Sequence, residues 1–481
     1  MRLFFLLLFP IFWANAQDDF IPRSRLIDWH PGVEKNISAP SIKTELSADD
    51  LKSGDASKTI QKAIDSLTVP GTILLPEGKF TCRSAINMKS GVFLRGRGIS
   101  STRLIFDLEK ALPSISFTGK SGRIFKIENE KLPARSTKIQ VSETYGLNPG
   151  DNILISADND GSIMYTSPKW NINWAKRSWG QVLRIKSIDG IVIETDVPLR
   201  LDYEKSRNPT IQKLEMLENA GLEDLYMKRI DSGDVSMINI TRSINCRISN
   251  IESEDTTRSH IWIYDSRFIA VENSEFHHSR NYGGGGHGYG VTAGTRTCDC
   301  LVTNNIFYSL RHSMMTKQSA SGNVFSYNYS FERRLPNPLL PGICDISIHG
   351  HYSHMNLFEG NVVEFVNCGD YWGPAGPYTT FFRNRVSFLF KAGDSSTKIN
   401  IIGNTISSIP LIDKSCTDPW VAVNRINGIL PDNLKIQPSL YLKEKPLFWG
   451  DLSWPCIGAD VDKDPASLTP IPAQIRFRMK K

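Results

Sequence analysis

The sequence predicts an all-β solenoid, namely a parallel β-helix in which each coil of the chain packs on the next. The main observation is a short phrase, made of an apolar pair, an Asn and further apolar residues, that recurs between residues 246 and 406. The Asn position is filled in turn by Asn250, Ser274, Asn305, Asn328, Asn361, Asn384 and Asn404. Successive members lie 24, 31, 23, 33, 23 and 20 residues apart, and a repeat of about 20–50 residues indicates a solenoid.

The composition of each repeat selects strands over helices. A unit of this length is too short for a pair of helices, and it is rich in the β-branched and aromatic residues that favour strands. An Asn that points inward at the same place in every coil can hydrogen-bond to the backbone of the next coil, so we expect a ladder of Asn side chains. Such a ladder determines architecture only, because a non-enzymatic solenoid needs it equally.

The first sixteen residues are typical of a cleavable export signal. Arg2 precedes an apolar run from Leu3 to Trp13, and Ala14-Asn15-Ala16 has the small-x-small pattern of a cleavage site. The run is too short to span a bilayer as a helix. We therefore expect an exported chain, either periplasmic or secreted, with no membrane span.

A short amphipathic helix is predicted at the start of the solenoid. Ile60, Ala63, Ile64 and Leu67 recur at helical spacing, and Ser57 is the expected N-cap. Because the first coil of a solenoid exposes its core, we expect this helix to act as a cap. Glycine-bounded strands follow from residues 71 and 91.

This region resembles the pectate-lyase-like right-handed β-helix superfamily. The resemblance rests on the helix after Asp55-Ala, on Leu75-Pro-Glu-Gly and on Leu94-Arg-Gly-Arg-Gly, and with the Asn repeat it covers roughly residues 50 to 410. It implies a right-handed, single-stranded coil and a carbohydrate-active protein. That superfamily contains lyases, hydrolases, epimerases and phage tailspikes, so the fold does not select a reaction.

The chain divides into four predicted regions with one insertion. We expect an export signal over 1–16, a leader over 17–50, the β-helix over 51–430 and a C-terminal capping tail over 431–481. Residues 121–215 break the repeat with alternating strands and indicate a small β insertion. Its Trp170, Trp174 and Trp179 form either a sugar-stacking platform or a small apolar core, since flat aromatic faces suit both.

Charge and cysteine content exclude some partners. The chain carries 56 Lys and Arg against 50 Asp and Glu, a formal charge of +6 that becomes +5 without Arg2. Basic residues are scattered, which argues against nucleic acid, whereas a mild basic excess suits an anionic polysaccharide. Eight Cys permit disulfides in an exported protein, but Cys298-Asp-Cys300 has no second pair at zinc-like spacing. We expect a monomer.

Histidines and carboxylates concentrate in the central coils, where eight of the nine His lie between His260 and His354. Aligning the strands that precede each Asn predicts a surface column of His260, His312, Asp345 and Asp370, with the coil of His287 between the first two. A second column contains Tyr264, then Thr316 or Lys317, then His349. Since side chains alternate along a strand, Trp262, Tyr264, Asp345 and His349 are predicted to face outward.

These residue types fit β-elimination of a uronate glycan. That reaction needs a group to neutralise the carboxylate, a base for the C5 proton and an acid for the leaving oxygen, and His serves as base or acid near neutral pH. Arg311 and Arg280 are the candidate carboxylate clamps. The predicted catalytic set is His287, Arg311, His312, Lys317, Asp345, His349, His351 and Asp370. The predicted substrate-binding set is His260, Trp262, Tyr264, Arg280, Tyr371 and Trp372.

Two alternatives remain open. A glycoside hydrolase would use two carboxylates, and Asp345 and Asp370 would fit the spacing of a retaining enzyme if they were in register. The stretch from Gly283 to Val291 resembles the Gly-His-Gly segment of polygalacturonase-type hydrolases, but the acidic motifs of that family do not precede His287, so its mechanism is not transferred. A non-catalytic glycan-binding solenoid is the third reading.

No metal site is predicted. His349 and His351 could ligate a transition metal only with a third ligand such as His312, His287 or Asp345. Ca²⁺ is the one cofactor left open, because a divalent cation can also neutralise a uronate carboxylate.

Overall fold

The computed structural model describes residues 20–34, 38–334, 343–429, 435–464 and 467–480, and it confirms the right-handed parallel β-helix. Each coil contributes strands to three stacks of parallel strands, called sheets 1, 2 and 3 in the order in which the chain passes through them. The predicted export signal lies outside the described residues. The described part of the chain contains no helix long and apolar enough to cross a membrane.

The strands of the solenoid have the following bounds. Sheet 1 contains Ile42–Glu45, Gly71–Leu74, Val92–Arg95, Leu217–Glu218, Arg267–Glu272, Leu301–Thr303, Val324–Ser326, Leu357–Glu359, Thr380–Phe382, Asn400–Ile402 and Trp420–Ala422. Sheet 2 contains Gly78–Cys82, Thr102–Phe106, Glu275–Ser279, Ile306–Tyr308, Tyr329–Phe331, Thr405–Ile406 and Arg425–Ile426. Sheet 3 contains Ile86–Asn87, Ile115–Thr118, Ile238–Thr241, Ser259–Tyr264, Tyr289–Ala293, His312–Thr316, Ile346–Ile348 and Leu411–Ile412. Gly221–Arg229 and Ser243–Thr256 run through sheets 1 and 2, and Val362–Cys368 and Arg385–Ala392 through sheets 2 and 3.

The cap helix forms at the predicted place with a different N-cap. It spans Ala56–Ser66 and follows a shorter helix, Ala48–Lys52. Asp55 is the N-cap, since its carboxylate accepts from the backbone N–H of Ser57 at 3.1 Å, and Ser57 already lies in the first turn. Ile60 and Ile64 are fully buried in the same core as Ile73 and Phe80, so the helix closes the start of the solenoid.

The Asn ladder is continuous from Asn305 to Asn424. Each side-chain amide donates to the Oδ1 of the Asn in the next coil at 2.9–3.1 Å, through Asn328, Asn361, Asn384 and Asn404. Ser274 occupies the slot before Asn305, as predicted, and its N–H donates to Asn305 Oδ1. The prediction for Asn250 is wrong, because that slot holds Ile251, while Asn250 is exposed and donates to Asp224.

Asn250 occupies the turn position that precedes the ladder in every coil. The residue at this corner between sheets 1 and 2 has a positive φ of 49–65° in nine successive coils, and its identity varies: Asp224, Asn250, Asn273, Asn304, Tyr327, Gly360, Arg383, Gly403 and Val423. The left-handed conformation normally favours Gly and Asn. Here the ladder hydrogen bonds and the packed coils hold even Tyr327 and Val423 in it.

The insertion forms a compact β unit with its own core. Its antiparallel sheet consists of Lys120–Lys126, Lys138–Gln140, Asn152–Ala157, Trp179–Asp189, Val192–Thr195 and Thr210–Glu215, and Lys131–Leu132 pairs with Tyr203–Glu204. Short 3₁₀ helices span Pro168–Trp170, Asn173–Ala175 and Lys205–Arg207. Trp179 is a buried core residue here and stacks on Tyr352, with ring centroids 5.5 Å apart. Trp170 and Trp174 lie outside that core.

The leader and the tail run along the outside of the coils. Trp29 of the leader is buried against sheet 1 and donates to the Met355 carbonyl at 2.8 Å. The tail includes a 3₁₀ helix, Leu447–Trp449, and a C-terminal helix, Pro472–Met479. Its residues pack on the outer faces of sheets 1 and 2. The tail therefore covers the side of the solenoid, and in the last coil Leu411 and Val421 remain about half exposed.

The cysteines are separate thiols. All eight lie in the described residues, and none of them forms a disulfide. Cys246 and Cys300 belong to the solenoid core, as their positions near the ladder predicted. Burial raises the pKa of the Cys246 thiol to about 12, so it packs as a small apolar group.

Candidate active site

The outward face of sheet 3 carries the densest group of polar and aromatic side chains among the predicted site residues. Strand register places Trp262, Thr292, Met315, Ser347 and Asn367 in one row along the solenoid. The next outward position along these strands is occupied by Lys317 and His349, which directly follow the paired residues Thr316 and Ile348. Lys317 and His349 therefore stand side by side in neighbouring coils, whose backbones are about 4.8 Å apart.

The first predicted column is wrong in register and in orientation. His260 has no exposed surface; its Nδ1 is 2.7 Å from Ser253 Oγ and its ring packs against the core residue Phe276. Burial lowers the pKa of His260 to about 3. The alternation rule fails here because His260 lies at the corner between sheets 2 and 3, where the chain turns and two consecutive side chains face inward.

Asp345 occupies the same corner three coils later and also faces inward. Its carboxylate accepts from Ser330 Oγ at 2.6 Å and from the backbone N–H groups of Glu364 and Phe365 at 2.9 and 2.7 Å. Burial raises its pKa to about 6. Because Asp345 is completely buried, it does not share a surface with Asp370, and the predicted hydrolase pair is not formed.

His312 is displaced from that column by one residue. It pairs with Tyr289, and its Nδ1 is 3.1 Å from the Cys344 carbonyl oxygen. Burial lowers its pKa well below the ordinary value, and the nearby Arg311 and His349 lower it further. His312 is therefore a neutral, buried ring beneath the face rather than an exposed base.

His349 and Asp370 form a hydrogen-bonded pair at the centre of the face. His349 Nδ1 contacts Asp370 Oδ2 directly, and Asp370 Oδ1 accepts from the backbone N–H of Trp372 at 3.0 Å. Both side chains are partly accessible, with 18% and 13% of their surface exposed. A carboxylate that binds Nδ1 fixes the ring orientation and leaves Nε2 as the reactive nitrogen.

Lys317 is a buried cation held between aromatic rings. Its Nζ lies 4.3 Å from the centre of the Trp262 ring and 5.3 Å from that of Trp174, within the range of cation–π attraction. Among the described residues it has no carboxylate within ion-pair distance. Its pKa is lowered to about 8, mainly by burial and also by the Arg258 charge, while Asp370 acts in the opposite direction.

An aromatic wall from the insertion overhangs this group. The ring centres of Trp170 and Trp372 are 4.4 Å apart, and those of Trp174 and Trp372 are 5.2 Å apart. Tyr371 is 57% exposed and lies 5.4 Å from Trp170. The wall is thus built jointly by the insertion and by the turn that follows the Val362–Cys368 strand.

His351 lies behind the wall and is fully buried. Its Nε2 is 3.1 Å from the carbonyl oxygen of Trp170, and its ring meets Trp174 edge-on at 5.2 Å. Burial lowers its pKa to about 4. Among the described residues, no set of three potential ligand atoms lying within 4.8 Å of one another includes His349 or His351.

The remaining predicted residues lie at the two borders of the face. Arg311 donates to the Gly283 carbonyl at 2.8 Å, and His287 Nε2 is 2.8 Å from Asp234 Oδ1. Tyr264 accepts from Arg296 at 3.3 Å at the opposite border. Arg280 donates to the Ile230 carbonyl at 2.6 Å, so its guanidinium is engaged with backbone.

Two charged residues near the face were not singled out from the sequence. Asp234 binds both His287 and Arg258, the latter at 2.9 Å. Asp234 and Arg258 each precede a strand of sheet 3, and that position is the only sequence signal that could have indicated them. A separate group of Glu252, Glu254 and His277, whose ligand atoms lie within 4.8 Å of one another, stands on sheet 2. There Lys480 and Lys228 already pair with the two carboxylates.

No family model matches the chain, and no curated protein matches its sequence. Among solved structures, it is similar to the tailspike protein gp49 from Pseudomonas phage LKA1, with a TM-score of 0.53 and 15% identity over 75% of this chain and 56% of that one. The tailspike gp61 of Pseudomonas phage phi297 gives a TM-score of 0.50 and 13% identity over 73% and 56%. The chain thus matches little more than half the length of either tailspike. At these identities the similarity shows the shared fold alone.

Proposed function

We propose that this protein is an exported polysaccharide lyase that cleaves a uronate-containing glycan by β-elimination on the outward face of sheet 3. The observation that carries the proposal is the His349–Asp370 pair beside Lys317, a buried ammonium without a carboxylate partner among the described residues. We also propose, as part of the same assignment, that the protein belongs to the pectate-lyase-like superfamily.

His349 is the proposed base. With Nδ1–H donated to Asp370, Nε2 holds a lone pair that can take the C5 proton of the sugar. The electron pair left at C5 forms the C4=C5 double bond, the C4–O bond breaks, and the leaving oxygen takes a proton from water in the open groove. Asp370 stabilises the imidazolium that forms, which is the usual role of a carboxylate behind a catalytic His.

Lys317 is the proposed partner of the substrate carboxylate. Its ammonium is shielded by Trp262 and Trp174, so an anion that reaches it meets an almost unsolvated charge, and electrostatic attraction is stronger where water is excluded. Neutralising the carboxylate acidifies the C5 proton. In this arrangement no Ca²⁺ is required, and Tyr371, Trp372 and Trp174 provide flat faces for the neighbouring sugars.

A glycoside hydrolase is the second candidate, with a carboxylate pair different from the predicted one. Cys368 pairs with Ala392, so Asp370 and Asp394 stand at equivalent positions of neighbouring coils, two residues beyond that pair. Burial raises the pKa of Asp394, and the nearby charge of Asp370 raises it further. A carboxyl group with a raised pKa beside a second carboxylate provides the two groups that a retaining hydrolase needs.

The deciding measurement is absorbance near 235 nm while the full chain acts on a panel of uronate polymers, with Ca²⁺ or with a chelator. We expect a rise that His349→Ala reduces at least about 100-fold, because a general base contributes roughly 10²–10⁴-fold. Lys317→Met should abolish most of the activity. Activity that survives the chelator would support Lys317, and not Ca²⁺, as the cation.

The chain offers a matched control in His30→Ala. His30 also pairs with an Asp, since its Nε2 is 2.9 Å from Asp28 Oδ2, but both groups are exposed in the leader. New reducing ends without a 235 nm signal would move the chemistry to Asp370 and Asp394. Binding of uronate oligomers with neither product would make the protein a glycan-binding solenoid.

A further inference from the structure

We propose that His351 is a positioning residue that fastens the insertion onto the coils, so that the Trp170–Trp174 segment stays closed over Lys317. This inference rests on the proposed function and assigns His351 a role other than acid or base. It makes the insertion, rather than the β-helix, the element that determines how dry the Lys317 ammonium is and how the groove receives sugar.

The hydrogen bond from His351 holds the insertion at the backbone of Trp170. Because a carbonyl only accepts, the 3.1 Å contact with the Trp170 oxygen requires the proton on Nε2. Nδ1 is then an acceptor, and it is buried without a hydrogen-bond partner in the described structure. The ring is wedged edge-on between Tyr165 at 5.3 Å and Trp174 at 5.2 Å. His351 thus has no access to substrate, and its contacts are with the insertion.

Two further contacts join the insertion to the same coils. Gln318 Nε2 donates to the Trp174 carbonyl at 2.5 Å, and Thr166 Oγ1 donates to the Tyr371 carbonyl. Both are near the edge of the insertion, whereas His351 lies beneath the wall. Together the three bonds attach the chain through the Thr166 side chain and the carbonyls of Trp170 and Trp174. This stretch contains the two 3₁₀ helices Pro168–Trp170 and Asn173–Ala175.

Closure of this segment sets the surroundings of Lys317. The charged groups that face Lys317 from the coils are Arg258 and Asp370, with His349 in the next coil. The insertion contributes the Trp174 face and, beyond it, Lys169, whose Nζ lies 4.5 Å from the Trp170 ring. If the segment opened, water would replace Trp174 at the ammonium, and the main cause of its lowered pKa would be reduced.

Two substitutions of His351 distinguish the contribution of its hydrogen bond from the contribution of its ring packing. His351→Gln places an amide N–H where Nε2 stands and can still donate to Trp170. His351→Phe keeps a flat ring and loses the donor. Trp174→Leu removes the cover of Lys317 from the other side without touching His351, so it tests the same closure if the His351→Phe protein folds poorly.

The readout is the pH dependence of Lys317 labelling by an amine-specific reagent, quantified by mass spectrometry of the full chain. In the unaltered protein we expect a midpoint near 8. His351→Phe and Trp174→Leu should move it upward by about one pH unit or more. Lys398, an exposed lysine beside Tyr378, is the internal control and should label identically in every variant.

Kinetics supply the second readout. His351→Phe should raise KM about fivefold or more with a smaller change in kcat, because one buried hydrogen bond is worth about 1 kcal/mol, which is a factor of about five. His351→Gln should restore KM to within about twofold. An unchanged Lys317 midpoint in both His351→Phe and Trp174→Leu, or a His351→Gln protein as impaired as His351→Phe, would overturn the inference. Because labelling needs no turnover, shifted midpoints without any elimination product would reject the lyase and leave the positioning role standing.

Discussion

Asp345, Lys317 and His351 are all buried, and burial has a different consequence for each. Asp345 is surrounded by donors inside the coil, Lys317 by aromatic rings at the surface, and His351 by the insertion. Burial disfavours the charged form in each case, so it raises the pKa of the carboxyl and lowers those of the amine and the imidazole. Of these three residues, only Lys317 both has its charged form disfavoured by burial and lies on the open face.

Asp345→Asn should therefore leave activity within about twofold of the unaltered protein and change the pH dependence of stability. The folded carboxyl has a pKa of about 6 and the unfolded one about 3.8, so its favourable contribution is present below pH 4 and lost as pH rises through 6. Because the variant has no charge to bury, its free energy of unfolding should rise by roughly 2–3 kcal/mol relative to that of the unaltered protein between pH 4 and 7. Urea unfolding across that range measures the gain.

A stability difference that stays constant between pH 4 and 7 would contradict this account of Asp345. Asp28→Asn is the control, because Asp28 is 89% exposed and its loss should leave the pH dependence unchanged.

At the scale of elements, the corner between sheets 1 and 2 combines two features. A left-handed residue turns the chain, and the next residue occupies the ladder. The ladder amides satisfy backbone groups that would otherwise be buried without partners, which is a requirement in a core this dry. The corner is therefore held by polar bonding along the solenoid as well as by apolar packing beneath it, where the rings of Phe325, Phe358 and Phe381 stack about 5 Å apart.

Asn361→Ala should be one of the most destabilising single substitutions outside the apolar core. It removes the acceptor of the Asn328 N–H and the donor to the Phe325 carbonyl. Unsatisfied buried groups cost about 1–3 kcal/mol each, so we expect a loss of at least about 3 kcal/mol in urea unfolding. Asn250→Ala is the matched control and should cost only about 1 kcal/mol, because Ala is disfavoured in the left-handed conformation of that corner; equal losses in the two variants would refute the ladder argument.

At the scale of the whole molecule, the two terminal segments and the insertion divide the surface of the solenoid. The leader and tail cover the outer faces of sheets 1 and 2, and the insertion packs along one border of sheet 3. Arg383 anchors the tail, because its guanidinium binds Asp460 through two nitrogens at 2.7 and 2.9 Å and the Gln437 carbonyl at 2.8 Å. Within the described residues, sheet 3 is the face left open for a long substrate.

Arg383→Met should release the tail without altering the site. Losing one partner of a buried ion pair costs about 3–5 kcal/mol, so we expect faster cleavage of the tail by a protease and an unchanged kcat. Arg97→Met, which removes an exposed pair with Glu45, should change neither. A tail that stays resistant in Arg383→Met would show that apolar packing alone holds it.

What the sequence by itself determined is the periodic part of the protein. A repeating Asn, period-two strands and an amphipathic helix with Ile60 and Ile64 predicted the coil, the ladder and the cap, since each depends on local pattern and on neighbours one coil away. The tertiary structure decided the site. His260 and Asp345 face inward because the chain turns at the corner between sheets 2 and 3, which the alternation rule does not describe. Asn250 lies outside the ladder because it occupies the corner between sheets 1 and 2. Trp170 and Trp174 reached Lys317 and His351 only because the insertion folds back across about 140–180 residues of sequence, and contacts at that separation leave no periodic trace.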